Sequence, residues 1–192
     1  ATQLSDVDFG KLAGNGVDVI DVNGDDKLSL TVKQYRALVA TTCKLTLLDT
    51  VTLSDLASEL AKLQPSEIAA LATNNVDYID SNSGLLSWTV NQAISLPVGV
   101  TFGATNLVQI ADTGSNISTG LSDAKIAALS AAGLDRINAN DDYVNLTALK
   151  AKALGNIVTD AGDQVTLVDS GSNIATQLSD VDFGKLAGNG VD

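Results

Sequence analysis

The chain has 192 residues, a net charge of −12 and an apolar fraction of 45%, which is enough for an extended buried core. No basic stripe exists to displace counterions from phosphates, so nucleic acids and anionic membranes are excluded as expected partners. No run of 18 apolar residues occurs, and no membrane insertion is predicted. Only 4% of the residues are aromatic, which predicts an aliphatic core of Leu, Val, Ile and Ala.

The residue types that are missing or rare also restrict the chemistry. Histidine is absent and Cys43 is the single cysteine, so imidazole metal sites, His-based triads and internal disulfides are ruled out. We therefore predict that the protein is not an enzyme and that Cys43 is free and buried. Of the 23 acidic residues 21 are Asp, which favours turns, helix caps and hard cations. Because methionine is absent too, we expect a processed chain or a fragment.

Two nested repeats organise the chain. The shorter one is marked by the equivalent residues Leu4, Leu63, Leu121 and Leu178, which follow one another at nearly constant spacing. Residues 1–18 recur unchanged as residues 175–192, an offset of 174 that equals three of the shorter repeats. The repeats predict one continuous array over residues 1–192, part of a longer natural array. Its units are roughly 1–59, 60–117, 118–174 and the start of a fourth at 175–192.

Each unit opens with a predicted helix. In the first unit Ser5 is the expected N-cap, and Asp8 three residues later resembles the second member of a capping box. Apolar residues such as Phe9 and Leu12 lie three apart and share one helical face. The expected N-caps of the three units are Ser5, Gln64 and Ser122. The expected end positions, which tolerate the left-handed conformation, are Gly16, Asn75 and Gly133.

A strand, a polar loop, a second helix and a second strand follow. In the first strand Val17 and Ile20 are expected to point inward, and the position between them to face water. That middle position is Val19, Tyr78 and Arg136 in the three units. The expected caps of the second helix are Thr31 and Thr89. The second strand is predicted at Leu45–Asp49, Val108–Asp112 and Val165–Asp169.

This order predicts an α/β fold. Each unit of about 58 residues forms two strand-loop-helix coils of about 29 residues, a length within the range of α/β solenoids. Equivalent strands of successive coils would then stack as a parallel sheet. The alternative is a string of small α+β globules, one per unit. Because no Pro-rich or Gly-rich linker separates the units, the solenoid is favoured.

The polar loop of each unit holds oxygen ligands of the kind that calcium prefers. Residues 21–26, DVNGDD, resemble the calcium loops of EF-hand and dockerin modules. The resemblance fails at Asp26, where glycine is expected, and at Val32, where the family has its anchoring carboxylate. A solvated Asx turn is the alternative. The predicted ligands of a calcium ion are Asp21, Asn23, Asp25, Asp26, Asp80, Asn82, Asn138, Asn140 and Asp142.

Aspartates at one phase of the repeat suggest a second use of carboxylates. Asp18, Asp77 and Asp135 would form a ladder in a solenoid, where their charges repel unless they are screened, bridged by cations or hydrogen-bonded to the backbone amides of adjacent turns. Capping by backbone amides is the favoured alternative.

A further motif, Asp-Thr/Ser-Gly-Ser at Asp112 and Asp169, resembles the aspartic protease signature. Because its two copies occupy the same phase of successive repeats, they have no dyad that would face them, and we predict no protease. We expect Gly114 and Gly171, which belong to the same motif, to serve a left-handed turn.

Taken together, segments such as LSDAKIAALSAAGLDRINANDD, LTVKQYRAL and VTLVDSGSNI resemble the Ala/Leu/Asp-rich tandem repeats of large secreted or surface adhesin-like proteins of Gram-negative bacteria, exported by type I secretion. The resemblance implies an extracellular or cell-surface location and a structural role in a fibre, surface layer, stalk, adhesin or biofilm matrix. The chain would supply length and self-association. The alternative is a calcium-dependent module that binds polysaccharide or protein.

Overall fold

The computed structural model describes residues 5–191, which form a mixed α/β fold with parallel sheets. The helices of these residues are α1 (Asp6–Gly14), α2 (Val32–Val39), α3 (Ala57–Leu60), α4 (Pro65–Ala69), α5 (Val90–Ile94), α6 (Gly114–Gly120), α7 (Asp123–Ala132), α8 (Ala148–Ala153), α9 (Gly171–Gln177) and α10 (Asp180–Gly188). The strands are β1 (Val19–Ile20), β2 (Lys27–Leu30), β3 (Lys44–Leu45), β4 (Thr50–Asp55), β5 (Tyr78–Ser81), β6 (Leu85–Trp88), β7 (Thr101–Phe102), β8 (Leu107–Asp112), β9 (Arg136–Ala139), β10 (Tyr143–Leu146), β11 (Val158–Thr159) and β12 (Gln164–Leu167).

The first of two compact units comprises residues 5–84 and 96–106. Its larger sheet has the strand order β2-β4-β5-β7, and β1 pairs with β3 in a smaller sheet. All pairings are parallel, and paired residues are 23 to 26 positions apart in the chain. The pairs that set the register are Val19 with Lys44, Lys27 with Thr50, Thr52 with Tyr78, and Tyr78 with Thr101.

The second compact unit comprises residues 85–95 and 107–191. Its larger sheet has the order β6-β8-β9-β11, and β10 pairs with β12. These pairings are also parallel, with paired residues 21 to 27 positions apart. The pairs are Leu85 with Leu107, Gln109 with Arg136, Arg136 with Val158, and Tyr143 with Gln164.

The two longest strands, β4 and β8, each serve two neighbours. Residues 50–53 of β4 pair with β2, and residues 52–55 pair with β5. Residues 107–110 of β8 pair with β6, and residues 109–112 pair with β9. Because the two halves overlap at two positions, each long strand carries the sheet from one neighbour to the next.

Caps begin the helices where the sequence predicts them. The Ser5 hydroxyl accepts the N–H of Asp8 at 3.3 Å, and the Asp8 carboxylate accepts the N–H of Ser5 at 2.9 Å, which completes a capping box. The other confirmed N-caps are Thr31, Gln64, Thr89 and Ser122. The predicted left-handed end positions are also confirmed, with φ of 79° at Gly16, 56° at Asn75 and 96° at Gly133.

The core is aliphatic, as predicted. Its most deeply buried side chains are mainly Leu, Ile and Val, together with Phe9, Tyr35 and Trp88. The predicted outward positions Val19, Tyr78 and Arg136 are exposed. Cys43 is free and buried, and its Sγ lies 2.9 Å from the carbonyl oxygen of Val17.

The strand predicted at Leu45–Asp49 is wrong. β3 covers only Lys44–Leu45, and a turn then leaves Leu47 and Leu48 85% and 84% exposed. The long strand of this unit is β4, in which Val51 and Leu53 are fully buried. Leu-Leu-Asp at 47–49 resembles the apolar residues that precede Asp112 at the end of a strand, and the strand was therefore predicted too early in the chain. Residues 51–55 are the true equivalents of residues 108–112 and 165–169, so the spacing of this strand is constant.

The order of elements within a repeat also differs from the prediction. The polar loop that was expected between a strand and a helix lies between two strands, such as β1 and β2. Each repeat therefore contains two strands before each helical segment. The short alternating run between the loop and the second helix was not predicted as a strand, but it forms β2, β6 and β10, in which more exposed and more buried residues alternate.

Candidate functional site

Aspartate side chains link neighbouring parallel strands by accepting backbone hydrogen bonds. The Oδ2 of Asp77 accepts the N–H of Val51 at 2.8 Å, and the Oδ2 of Asp135 accepts the N–H of Val108 at 2.8 Å. These are two members of the predicted ladder, and the favoured alternative, capping by backbone amides, is the one that the structure has. Asp18, the first member, is exposed.

A second series of aspartates caps helices that lie earlier in the chain. The Oδ2 atoms of Asp55, Asp112 and Asp169 accept the first helical N–H of α2, α5 and α8 at 3.0, 3.0 and 3.1 Å. Their Oδ1 atoms accept the N–H of the next residue in the chain at 2.8 to 2.9 Å. A carboxylate here satisfies amides that the helix leaves unpaired and complements the helix dipole. We call Asp55, Asp77, Asp112, Asp135 and Asp169 the turn-joining carboxylates.

Two turn-joining carboxylates belong to the motif that resembles the aspartic proteases. Burial raises the pKa of Asp112, but hydrogen bonds from the Asn116 side chain and from backbone amides outweigh it, and the net pKa is lowered. The pKa of Asp169 is lowered by the Asn173 side chain and by the N–H groups of Ala148 and Ser170. A dyad that shares a proton needs one raised pKa, so the electrostatics at both aspartates favour ionised caps.

The glycines of the same motif do not serve a left-handed turn, and that prediction is wrong. Gly114 and Gly171 are the first residues of α6 and α9, and neither has a positive φ. Gly114 is required by a close approach: a Cβ there would lie 1.5 Å from the carbonyl oxygen of Tyr143. Its N–H donates to the Asp141 carboxylate at 2.7 Å.

A third series of side chains is buried and was missed by the sequence reasoning. Asp49, Asn106 and Asp163 occupy one phase of three successive repeats and are only 6%, 9% and 7% exposed. They accept the N–H groups of Val22, Ser81 and Ala139 at 3.2, 2.7 and 2.8 Å. Their constant spacing was the available signal. It went unused because Asp and Asn are usually exposed turn residues.

The partners of this series differ between repeats. The Asn106 Nδ2 donates to the Asp80 carboxylate at 2.8 Å. The Thr46 hydroxyl lies 2.8 Å from Asp49 Oδ2 and 3.3 Å from Asp21 Oδ1. The Oδ1 of Asp163 is buried without a hydrogen-bond partner among residues 5–191. Burial raises the pKa of Asp163, and the nearby charges of Asp160 and Asp142 raise it further.

The residues predicted to bind calcium lie in three separate loops. In the first, Asp21, Asn23, Asp25 and Asp26 are all exposed, and Asp26 has a φ of 52°. In the second, Asp80 accepts hydrogen bonds from Asn106 and Ser54, and Asn82 is exposed. In the third, Asn138 lies in β9, whereas Asn140 and Asp142 are exposed and Asp142 has a φ of 60°.

Within residues 5–191, no three Asp, Glu, Cys or His side chains lie close enough together to hold a metal ion. Calcium also accepts the amide oxygens of Asn and backbone carbonyls as ligands, so the calcium site stays a prediction.

Comparisons with family models, with curated proteins and with solved structures found no match. None of the helices within residues 5–191 is long and apolar enough to cross a bilayer.

Proposed function

We propose that the chain is an extracellular structural segment of a fibre, surface layer, stalk or adhesin, in which an α/β solenoid provides length and self-association. One observation carries the proposal. The turn-joining carboxylates accept backbone N–H groups that lie 21 to 27 positions away in the chain, the same separation that paired strands have. The acidic side chains are thereby used to hold one turn on the next.

The repeated chemistry supports scaffolding over catalysis or specific binding. A catalytic group is expected once in a chain, whereas the turn-joining carboxylates recur at the same phase of successive repeats. The extracellular location rests on the resemblance to secreted adhesin-like repeats and on the acidic, aliphatic composition. A solenoid of this kind advances about 4.8 Å per turn, and the six turns of one long repeat would span about 29 Å.

A tandem chain tests the proposal. Because residues 175–192 repeat residues 1–18, residues 19–192 can be appended directly after residue 192 without interrupting the repeat. Small-angle X-ray scattering of the single and tandem chains should show a maximum dimension that grows by about 29 Å at constant cross-section. A larger cross-section, or the profile of flexibly linked globules, would contradict the solenoid.

A calcium-dependent module that binds polysaccharide or protein is the second candidate, and one contact favours it. The Thr46 hydroxyl lies between Asp21 and Asp49 but has one proton, so it can donate to only one carboxylate at a time. A cation would offset the remaining charge. Calorimetric titration of calcium into chelator-treated protein should then give heat that the Asp21→Asn variant lacks. No heat at millimolar calcium would remove this candidate.

A further inference from the structure

Identical helices have unlike surroundings at the two ends of the described chain. α1 and α10 share the sequence DVDFGKLAG, yet Phe9 is 2% exposed and Phe183 is 46% exposed. In the first compact unit α1 packs on α2, and Phe9 borders a groove of about 190 Å³. That groove is also lined by Ile20, residues 27–30 and Gln34. The burial of this phenylalanine thus depends on the residues that follow the helix, those of β1, β2 and α2.

The two small sheets look like the two halves of a large one. At the internal steps, residues 52–55 of β4 pair with β5, and residues 109–112 of β8 pair with β9. The equivalent residues of the third repeat are 166–169, but within residues 5–191 β12 pairs only with β10. β1 is the equivalent of β5 and β9, and it pairs only with β3 in that range. Joining β12 to β1 would give the order β10-β12-β1-β3, which matches both four-stranded sheets.

The glycines of the two motif copies, Gly114 and Gly171, also indicate a missing neighbour at β12. A Cβ at Gly114 would collide with the Tyr143 carbonyl, whereas a Cβ at Gly171 has nothing within 4 Å. Two repeats before Tyr143 the equivalent residue is Lys27, and two repeats before Asp141 it is Asp25. Gly171 therefore leaves space for a strand that begins as β2 does.

We propose that residues 19–39 of a second copy of this chain dock on β12, α9 and α10, so that copies associate head to tail. In register with the internal steps, Val19 and Ile20 of the second copy would pair with Thr166 and Leu167. Its Asp25 carboxylate would accept the N–H of Gly171, as Asp141 accepts that of Gly114. The inference rests on the proposed function, because it assumes that the repeat stacks.

The repeated segment of residues 1–18 and 175–192 determines how such a joint forms. α10 already lies where α1 of the incoming copy would lie, so one of these two identical helices must be released. When α10 takes the place of α1 against α2, Phe183 gains the cover that Phe9 had, and Asp180 can replace Asp6 beside Lys33. Replacing α1 by α10 should therefore change the free energy little, and the new pairing of β12 with β1 stabilises the joint. Head-to-tail contacts of this heterologous kind form open filaments unless the rotation closes a ring.

Gly171→Ala in the full chain is the decisive variant. The methyl group has space within the chain itself but would block the incoming Lys27 carbonyl. In analytical ultracentrifugation the unchanged protein should form oligomers that grow with concentration. The variant should associate at least about tenfold more weakly, since a steric clash and a lost hydrogen bond together exceed about 1.4 kcal/mol. Its thermal unfolding should be unchanged.

Gly162→Ala is the matched control, because its methyl group makes only an ordinary contact with Asp160 at 3.5 Å. The equivalent internal residues are Leu48 and Thr105, so a side chain at this position is compatible with a joint. Asp25→Ala changes the surface of the incoming copy that would contact Gly171, and it should also weaken association.

A monomer at millimolar concentration, or equal association of the Gly171→Ala variant, would overturn the inference. If single copies stay monomeric while the tandem chain is a uniform rod, the joint and the self-association fail, whereas the solenoid and the length that it provides stand.

Discussion

The step from β4 to β5 and the step from β8 to β9 follow one plan but differ in how closely the backbones approach. At the first step the N–H of Ala57 donates to the Ser83 hydroxyl at a long 3.4 Å. At the second, the equivalent N–H of Gly114 donates to the Asp141 carboxylate at 2.7 Å. The shorter, charge-assisted bond coincides with an approach that leaves no space for a Cβ.

Each step from one strand to the next has a constant contact and a variable one. Both steps keep an aspartate on the backbone of the preceding strand, at Asp77 and Asp135. The residue at the helix start and its acceptor vary as a pair: Ala with Ser, or Gly with Asp. A loose contact accepts a side chain and a neutral acceptor, whereas a tight contact needs glycine.

The largest expected effect comes from adding a methyl group at the tight step. Gly114→Ala forces the Tyr143 carbonyl away and should reduce the free energy of unfolding by about 3 kcal/mol, the upper range for overpacking. Urea unfolding followed by circular dichroism measures it. Gly171→Ala, the same change where space is open, should stay within about 0.5 kcal/mol. Equal losses in the two variants would mean that the Tyr143 contact does not determine the difference.

The next effect should be the same at both steps. Asp77→Ala and Asp135→Ala each remove the acceptor of one strand amide, and each should cost about 2 kcal/mol because the N–H loses its partner. Chemical denaturation at pH 7 and low protein concentration measures both. Asp18→Ala, at the exposed first position of the ladder, is the control and should have little effect. A cost at only one step would break the equivalence of the two.

These effects also show how much the sequence could predict. The helix caps and helix ends could be predicted, because Ser5, Thr31 and Gly133 act through local backbone geometry. The positions of equivalent residues in successive repeats could be predicted as well. The common role of Asp77 and Asp135 could also be predicted, since residues at equivalent positions of successive repeats have similar environments. Parallel sheets follow from the same reasoning, given that equivalent strands of a repeat run in one direction.

The features that could not be predicted from the sequence depend on tertiary contacts. Leu47 and Leu48 look like a strand, and only the turn before β4 turns them outward. Nothing local distinguishes Gly114 as a steric glycine, because the clashing carbonyl of Tyr143 belongs to the start of β10, beyond the next helix and strand. Burial of Asp163 likewise depends on its contact with the backbone of Ala139.

Exchanging Asn106 and Asp163, the buried polar residues that contact the ends of β5 and β9, should give a smaller effect. Asp163→Asn removes a buried charge, leaves an amide like that of Asn106, and should stabilise the protein by about 1 kcal/mol at pH 7. Because the pKa of Asp163 is raised on folding, the folded state holds its proton when the unfolded state has lost it. Stability should therefore fall as pH rises from about 3.9 through the folded pKa.

The variant should lose that part of the pH dependence. The reciprocal change, Asn106→Asp, places a second carboxylate beside Asp80 and should destabilise the protein by about 1 kcal/mol. Thermal unfolding between pH 4 and 8 measures both exchanges. If the two changes shift stability in the same direction, the difference between Asn106 and Asp163 is not electrostatic.

The smallest effect concerns the carboxylate that caps α5. The pKa of Asp112 is lowered on folding, so its contribution is complete above the unfolded pKa of about 3.9 and is lost as pH falls through the folded value. Asp112→Asn should therefore flatten the acid limb of the stability profile and cost less than about 1 kcal/mol at pH 7, since the site is partly solvated. Asp25→Asn, in an exposed loop, is the control for the loss of one negative charge and should leave the stability at pH 7 unchanged. An unaltered limb in Asp112→Asn would mean that its hydrogen bonds from Val90 and Thr113 persist with a neutral acceptor, and that geometry rather than charge holds the start of α5 on Asp112.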